Sequence, residues 1–190
     1  MTPYQKLKSD WCNCQKCPLH LTRKKVVQMR GDLPCDMLFV GESPGESEDA
    51  LGAPFVGPAG RLLDEQIELS YPDVKIMVKM AFINLVACWP KPQGQKKRDP
   101  TKAEIIACSP RLKALAGFAR PRAIVCVGGL AEKWVPHLLP DLVDRVPMSG
   151  ITHPAWILRL DPARKPLADE KNVAQLRDAF EELLTIMRSV

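Results

Sequence analysis

Short apolar runs ended by glycine or proline alternate along this chain with longer stretches of helical spacing. Residues 37–40, Met-Leu-Phe-Val, form a run of strand length that Gly41 ends and Pro44-Gly45 turns. From Ala59 the spacing becomes helical, with Leu62, Leu63 and Ile67 on one face. Residues 73–80 are ambiguous, with a helix followed by a strand as the reading. Residues 81–86 read as a second buried strand with one polar intruder, Asn84. Thr101-Lys-Ala-Glu104 is a capping-box pattern that starts a helix carrying Cys108 and running to about Gly117. Residues 123–127 form a third strand, and Gly128-Gly129 turn it into a helix over about 130–138. A short strand then leads to His153-Pro154, and residues 172–187 make an amphipathic helix with Val173, Leu176, Phe180, Leu183 and Leu184 as its core face. This order, βα, βα, βα, β, α, predicts an α/β fold: a three-layer α/β/α sandwich with a short, mainly parallel central sheet. A chain of 190 residues with 46% hydrophobic content suits one domain over 1–190. Residues 1–35 are expected to be an N-terminal arm that carries cysteines.

The first strand delivers an unusual loop. Glu42, Glu46, Glu48 and Asp49 crowd it, and Gly52, Gly57 and Gly60 let it fit closely before the helix begins. In α/β sheets ligands bind outside the carboxyl ends of strands, and this loop occupies such a place. Glu42, one residue past the strand and ahead of Ser43-Pro44-Gly45, suits general-base or cation-stabilising work. The rival is that glycines and prolines merely shape a βα connection. Asn84 is either a structural amide bonded to backbone or a base reader, since an amide offers a donor and an acceptor side by side. His153 is one of three histidines and is followed by apolar Trp156 and Ile157; the alternative there is a turn with an incidental imidazole.

Charge and cysteine change the picture further. The net charge is +5, with basic residues gathered in the first thirty positions and again from Lys91 to Arg122, whereas acids concentrate between Glu42 and Glu68. A basic surface around an acidic pocket suits an enzyme acting on a polyanion. Seven cysteines without an apolar leader argue against disulfides and for a reduced, cytoplasmic setting. No apolar run reaches the roughly 18 residues of a membrane span. Cys14 and Cys17 have the C-x₂-C spacing that lets two thiolates reach one centre, which alone fits zinc, iron–sulfur or neither. Cys88 and Cys108 are the candidate partners, Cys12 is a rival to Cys14, and Cys126 reads as core packing within its strand.

Gly41-Glu42-Ser43-Pro44-Gly45 with Glu48-Asp49, and Pro54-Phe55-Val56-Gly57-Pro58-Ala59-Gly60, resemble the uracil-DNA glycosylase superfamily, specifically its family 4, iron–sulfur type. The likeness extends in order through Asn84, the cysteines and the His153-Pro154-Ala155 loop, and so covers nearly the whole chain. It implies a monofunctional glycosylase that removes uracil from DNA; a monomer acting away from any membrane is expected. It implies a [4Fe–4S] cluster on Cys14, Cys17, Cys88 and Cys108 as a structural staple, with zinc as the chemical alternative. By the same resemblance Glu42 positions water, and His153 donates to a uracil carbonyl. Phe55 stacks on the base, Asn84 reads its polar edge, and Gly41, Ser43, Gly57 and Ala59 complete the base pocket. Lys97, Arg98, Trp156, Ile157 and Arg159 fall to DNA contact. Two departures stand out. Ser43 occupies a position that is normally Ala or Gly, and the loop 93–99 holds an insertion similar to that of a uracil-crosslinking branch. That branch uses a loop histidine, and Lys96-Lys97-Arg98-Asp99 has none. The rivals in function are a non-turnover or crosslinking binder of uracil-DNA, a glycosylase for another deaminated or modified base, and a metal-bearing interaction module.

Overall fold

The computed structural model describes residues 3–91 and 98–189. Among them five strands form one sheet in the order β1-β3-β2-β4-β5. They are β1 (Met29–Gly31), β2 (Met37–Gly41), β3 (Met80–Asn84), β4 (Ala123–Val127) and β5 (Met148–Ile151). β2, β3, β4 and β5 are parallel to their neighbours, whereas β1 runs antiparallel along β3. The three central strands are buried at every position, as expected where helices cover both faces.

Alternation along these strands sorts the core into two layers. Leu38, Val40, Ala81, Ile83, Ile124 and Cys126 face one way. There they meet α5 (Lys102–Ala119) and α6 (Gly129–Leu138), with α1 (Pro3–Cys12) packed outside α5. Met37, Phe39, Phe82, Val125 and Val127 face the other way, against α3 (Pro58–Ser70) and α9 (Lys165–Arg188). Period-two side-chain direction on a twice-covered sheet is what makes three layers. Each fully buried aliphatic or aromatic side chain contributes about 1.5–3 kcal/mol, so both layers are needed. No helix among the described residues is long and apolar enough to cross a membrane.

Several elements differ from the sequence reading. The segment 29–31 inside the expected arm is a sheet strand, half-exposed and without an apolar run. The acidic loop is in part a helix, α2 (Glu46–Leu51), and α4 (Val74–Met77) resolves the ambiguous segment before β3. β3 ends at Asn84, two residues earlier than the apolar run suggests, although Leu85 and Val86 still donate to the carbonyls of Gly41 and Glu42. α7 (Pro140–Val143) and α8 (Pro154–Ile157) are single turns. α9 begins seven residues before the expected start, its first turns polar, and buries Asn172 where Val173 was expected.

Candidate active site

The carboxyl ends of β2, β3, β4 and β5 share one edge of the sheet, so Glu42, Asn84, Gly128 and His153 are brought together from segments more than a hundred residues apart. Gly41 pairs with Asn84 in register. A Cβ on Gly41 would lie 2.5 Å from both Asn84 Oδ1 and Phe55 Cζ. Only hydrogen at that Cα lets the amide and the ring close on the strand end. Asn84 is 3% exposed, and among the described residues its side-chain amide makes no hydrogen bond. A buried amide with that freedom is suited to a ligand's polar edge.

Phe55 is held under strain. Its φ is 55°, in the left-handed region that an aromatic residue rarely adopts. A Cβ on Gly60 would collide with the Phe55 backbone, so the glycine is what allows α3 to pass so close. The Phe55 ring leans on Phe82 at 5.8 Å and 57°, and Phe82 stacks on Phe39 at 4.7 Å. Strained residues of this kind persist where the surroundings over-determine them, commonly at ligand clamps. The clamp here is Glu48. Its carboxylate accepts from the N–H groups of Gly45 (3.0 Å), Val56 (3.1 Å) and Gly57 (2.8 Å), tying both sides of the loop together. Asp49 accepts from Lys24 N at 2.8 Å. Glu48 and Asp49 are therefore structural, which their acidity alone did not reveal. The N–H of Gly57, expected to help complete the base pocket, is committed to Glu48, whereas Ala59 lies in the first turn of α3, where N–H groups lack helix partners. Ser43 is half-buried and forms no side-chain hydrogen bond among the described residues.

Glu42 and His153 meet across Gly128. A Cβ on Gly128 would stand 2.7 Å from Glu42 Oε1 and 3.0 Å from His153 Cβ, and its φ of 98° belongs to glycine. This glycine escaped the sequence reading, which took it as a turn. His153 caps α8: its Nδ1 accepts from the Ala155 N–H at 3.1 Å. An amide N–H can only donate, so Nδ1 is bare and the neutral ring carries its proton on Nε2. The loop is fixed from behind by Asn172, 0% exposed, which accepts from Thr152 N (2.9 Å) and donates to Thr152 O (2.8 Å). Asn172 is another supporting residue the sequence did not announce.

An open cleft of about 750 Å³ is lined by Glu42, Gly128, His153, Trp156, Arg159 and Lys171, among others. Trp156 is 50% exposed at its rim. Ile157, expected beside it, is 1% exposed and belongs to the core; the single turn of α8 rotates it inward and presents Leu158 instead. Arg98 forks onto Glu104 at 2.8 and 2.9 Å, so its charge is spent on the start of α5. Hydrogen bonding from Arg98 is also the main reason that the Glu104 carboxyl is held below its ordinary range. Lys97 lies outside the described residues, while Asp99, at the end of the same loop, reaches the cleft.

Cys14, Cys17, Cys88 and Cys108 line one small cavity together with Trp11, Lys16, Arg23 and Val26. Cys12 is exposed and bonds Ser9 O instead. Two guanidiniums address the sulfurs: Arg111 Nε donates to Cys108 Sγ at 3.3 Å, and Arg23 Nη1 to Cys88 Sγ at 3.8 Å. Cations aimed at sulfur suit thiolates, and so a set of anionic ligands. Burial is the main reason that the Cys88 thiol is pushed up to about 12, against the lowering effect of the Arg23 guanidinium. Among the described residues no three His, Cys, Asp or Glu side chains gather as one metal ion would need; the four sulfurs surround a space instead. Cys35 and Cys126 are buried in the core, their thiols also pushed up to about 12 by burial.

Comparison with known proteins agrees with this geometry. Residues 29–184 match the family model of the uracil DNA glycosylase superfamily. A type-4 uracil-DNA glycosylase of Archaeoglobus fulgidus is 38% identical over 186 residues, covering 86% of this chain and 88% of that protein. One from Pyrobaculum aerophilum is 38% identical over 145 residues, or 75% and 69% of the two chains. One from Saccharolobus solfataricus is 43% identical over 119 residues, 60% of this chain and 50% of the relative. The crystal structure of wild-type SMUG2 from Pedobacter heparinus superposes with a TM-score of 0.56 over 79% of this chain and 76% of that one, at 14% identity, which is a likeness of fold.

Proposed function

The chain belongs to the uracil-DNA glycosylase superfamily, in its type-4 branch, and we propose that it hydrolyses the N-glycosidic bond of deoxyuridine in DNA and releases uracil. The observation that carries the reading is the meeting of Glu42 and His153 across Gly128 in one cleft, with Asn84 and Phe55 closing on Gly41 beside it.

The target nucleotide leaves the base stack, and its uracil enters between Phe55 and the end of β3. Asn84 pairs with the polar edge and disfavours cytosine, whose exocyclic amine reverses the donor–acceptor pattern. Bond breaking puts positive charge on the sugar and negative charge on the base. Glu42, a carboxylate one residue past β2, stabilises the first and orients water toward the sugar. His153, neutral with its proton on Nε2, donates to the second, and its N-cap bond holds that tautomer ready. Arg159 and Lys171 at the cleft and the exposed Trp156 meet the DNA backbone and bases.

The four cysteines would hold a [4Fe–4S] cluster, which would cross-link the N-terminal segment to the segment after β3 and to the first half of α5. Cys14 and Cys17 supply one side, Cys88 and Cys108 the other, and Arg23 and Arg111 offset the thiolate charge. The protein works as a monomer in a reducing cytoplasm.

Single-turnover excision from a DNA panel carrying uracil, hypoxanthine and modified pyrimidines tests the reading. Uracil should be released fastest, with full turnover when substrate is in excess. A stoichiometric protein–DNA adduct would show a crosslinker, and retention without cleavage a binder. Faster release of another base would reassign the substrate.

A further inference from the structure

Arg111 is the largest side chain in the fully buried set, at 0% exposure. Among the described residues no carboxylate pairs with it. A guanidinium stays charged, and burying it without a counter-charge is costly. Its fork goes elsewhere. Nε donates to Cys108 Sγ at 3.3 Å, Nη2 to the carbonyl oxygen of Asn84 at 2.5 Å, and Nη1 to that of Gln28 at 3.3 Å. One rigid plane thus joins a sulfur of the four-cysteine cavity to the backbone of the residue whose amide faces the base.

We infer that Arg111 is a positioning residue that couples the cysteine centre to uracil recognition. Cys108 Sγ and the backbone carbonyls of Gln28 and Asn84 are the acceptors that hold the guanidinium in the core. The guanidinium in turn fixes the Asn84 carbonyl, and with it the angle at which the amide stands against Gly41 and Phe55. Since the Asn84 side chain has no hydrogen bond among the described residues, its aim is set by its backbone. The inference rests on the glycosylase reading for what Asn84 recognises; the link from sulfur to backbone stands on the geometry alone. Lysine would keep the charge near Cys108 but lose the planar fork, so the two halves of the role separate by substitution.

The test compares wild type, Arg111→Lys and Arg111→Met as purified with their bound iron, and wild type stripped by a chelator. Wild-type excision of uracil from DNA is read first. Arg111→Lys should retain its visible absorbance and wild-type DNA affinity. Its single-turnover excision should fall about 10–100-fold, the scale for supporting partners of a metal centre, and inhibition by free uracil should weaken in proportion. Arg111→Met should also lose its absorbance faster under chelation. Stripped wild type should lose free-uracil inhibition while still binding DNA. Hydrogen exchange over residues 84–86 should quicken in Arg111→Lys. Wild-type excision and uracil inhibition in Arg111→Lys would overturn the inference. So would a loss of DNA affinity in step with excision, the mark of general unfolding. If Arg111→Met does not fold, Arg111→Lys and stripped wild type decide. A wild type that leaves uracil in DNA refutes the glycosylase reading, and exchange and chelation then still judge the Arg111 link.

Discussion

At the scale of single residues, the site is a set of close approaches that glycine makes possible. Gly128→Ala would put a methyl group 2.7 Å from Glu42 Oε1 and strain a backbone at φ 98°. Excision should fall about 10²-fold through misplacement, with DNA binding unchanged by gel shift. Glu42→Gln keeps the shape and removes the charge, and single-turnover excision should drop by about 10²–10⁴-fold. Equality of both variants with wild type would remove the pair from the chemistry. Asn84→Asp should lose uracil excision and gain weak action on cytosine, since an ionised carboxylate only accepts; a substrate panel decides. Glu42, Asn84 and His153 stood out as candidates in the sequence because each is an odd residue type beside an apolar run or a tight turn, whereas Phe55 stood out only through the family resemblance. Gly128, Asn172 and Arg111 were not, because their meaning lies in contacts made across the fold. Ile157 shows the opposite error: an apolar residue next to an exposed tryptophan looked available, and one turn of helix hid it.

At the scale of elements, the strands and long helices followed from periodicity, while the pieces that build the site walls did not. β1 is three residues with no alternation, and α2 is a single short helix whose acids suggested an open loop. What orders that region is α3 pressing on Phe55 through Gly60. Gly60→Ala should therefore disturb the clamp. Overpacking of this kind costs about 1–3 kcal/mol, visible as a lower Tm together with weaker uracil inhibition. The start of α5 gives a pH-dependent counterpart. Pairing with Arg98 holds the Glu104 carboxyl below its unfolded value of about 4.3, so the stabilisation is present above that pH and fades as pH falls through the folded value. Glu104→Gln should lower Tm at pH 7, and the gap to wild type should close in thermal melts as pH drops below about 4. A constant gap would show that the pair contributes only packing.

At the scale of the whole molecule, a layered α/β body carries two distinct endowments: a cleft at the carboxyl edge of the sheet and a sulfur-lined cavity beside α1 and α5. Removal of the proposed iron–sulfur centre by chelation should lower Tm and expose residues 12–22 to limited proteolysis, with protection of that segment marking a merely ornamental centre. The placement of the cysteines also bears on how the chain is made. Cys14 and Cys17 emerge from the ribosome before Cys108 on α5, which follows roughly ninety residues later, several seconds of synthesis at ordinary rates. β1 likewise waits for β3, the strand it borders. Through that interval the first two thiols have neither metal nor cover, and their vulnerability to oxidation is greatest then. Oxygen stress should therefore deplete newly made protein far more than protein already folded, a difference that pulse-labelling would measure.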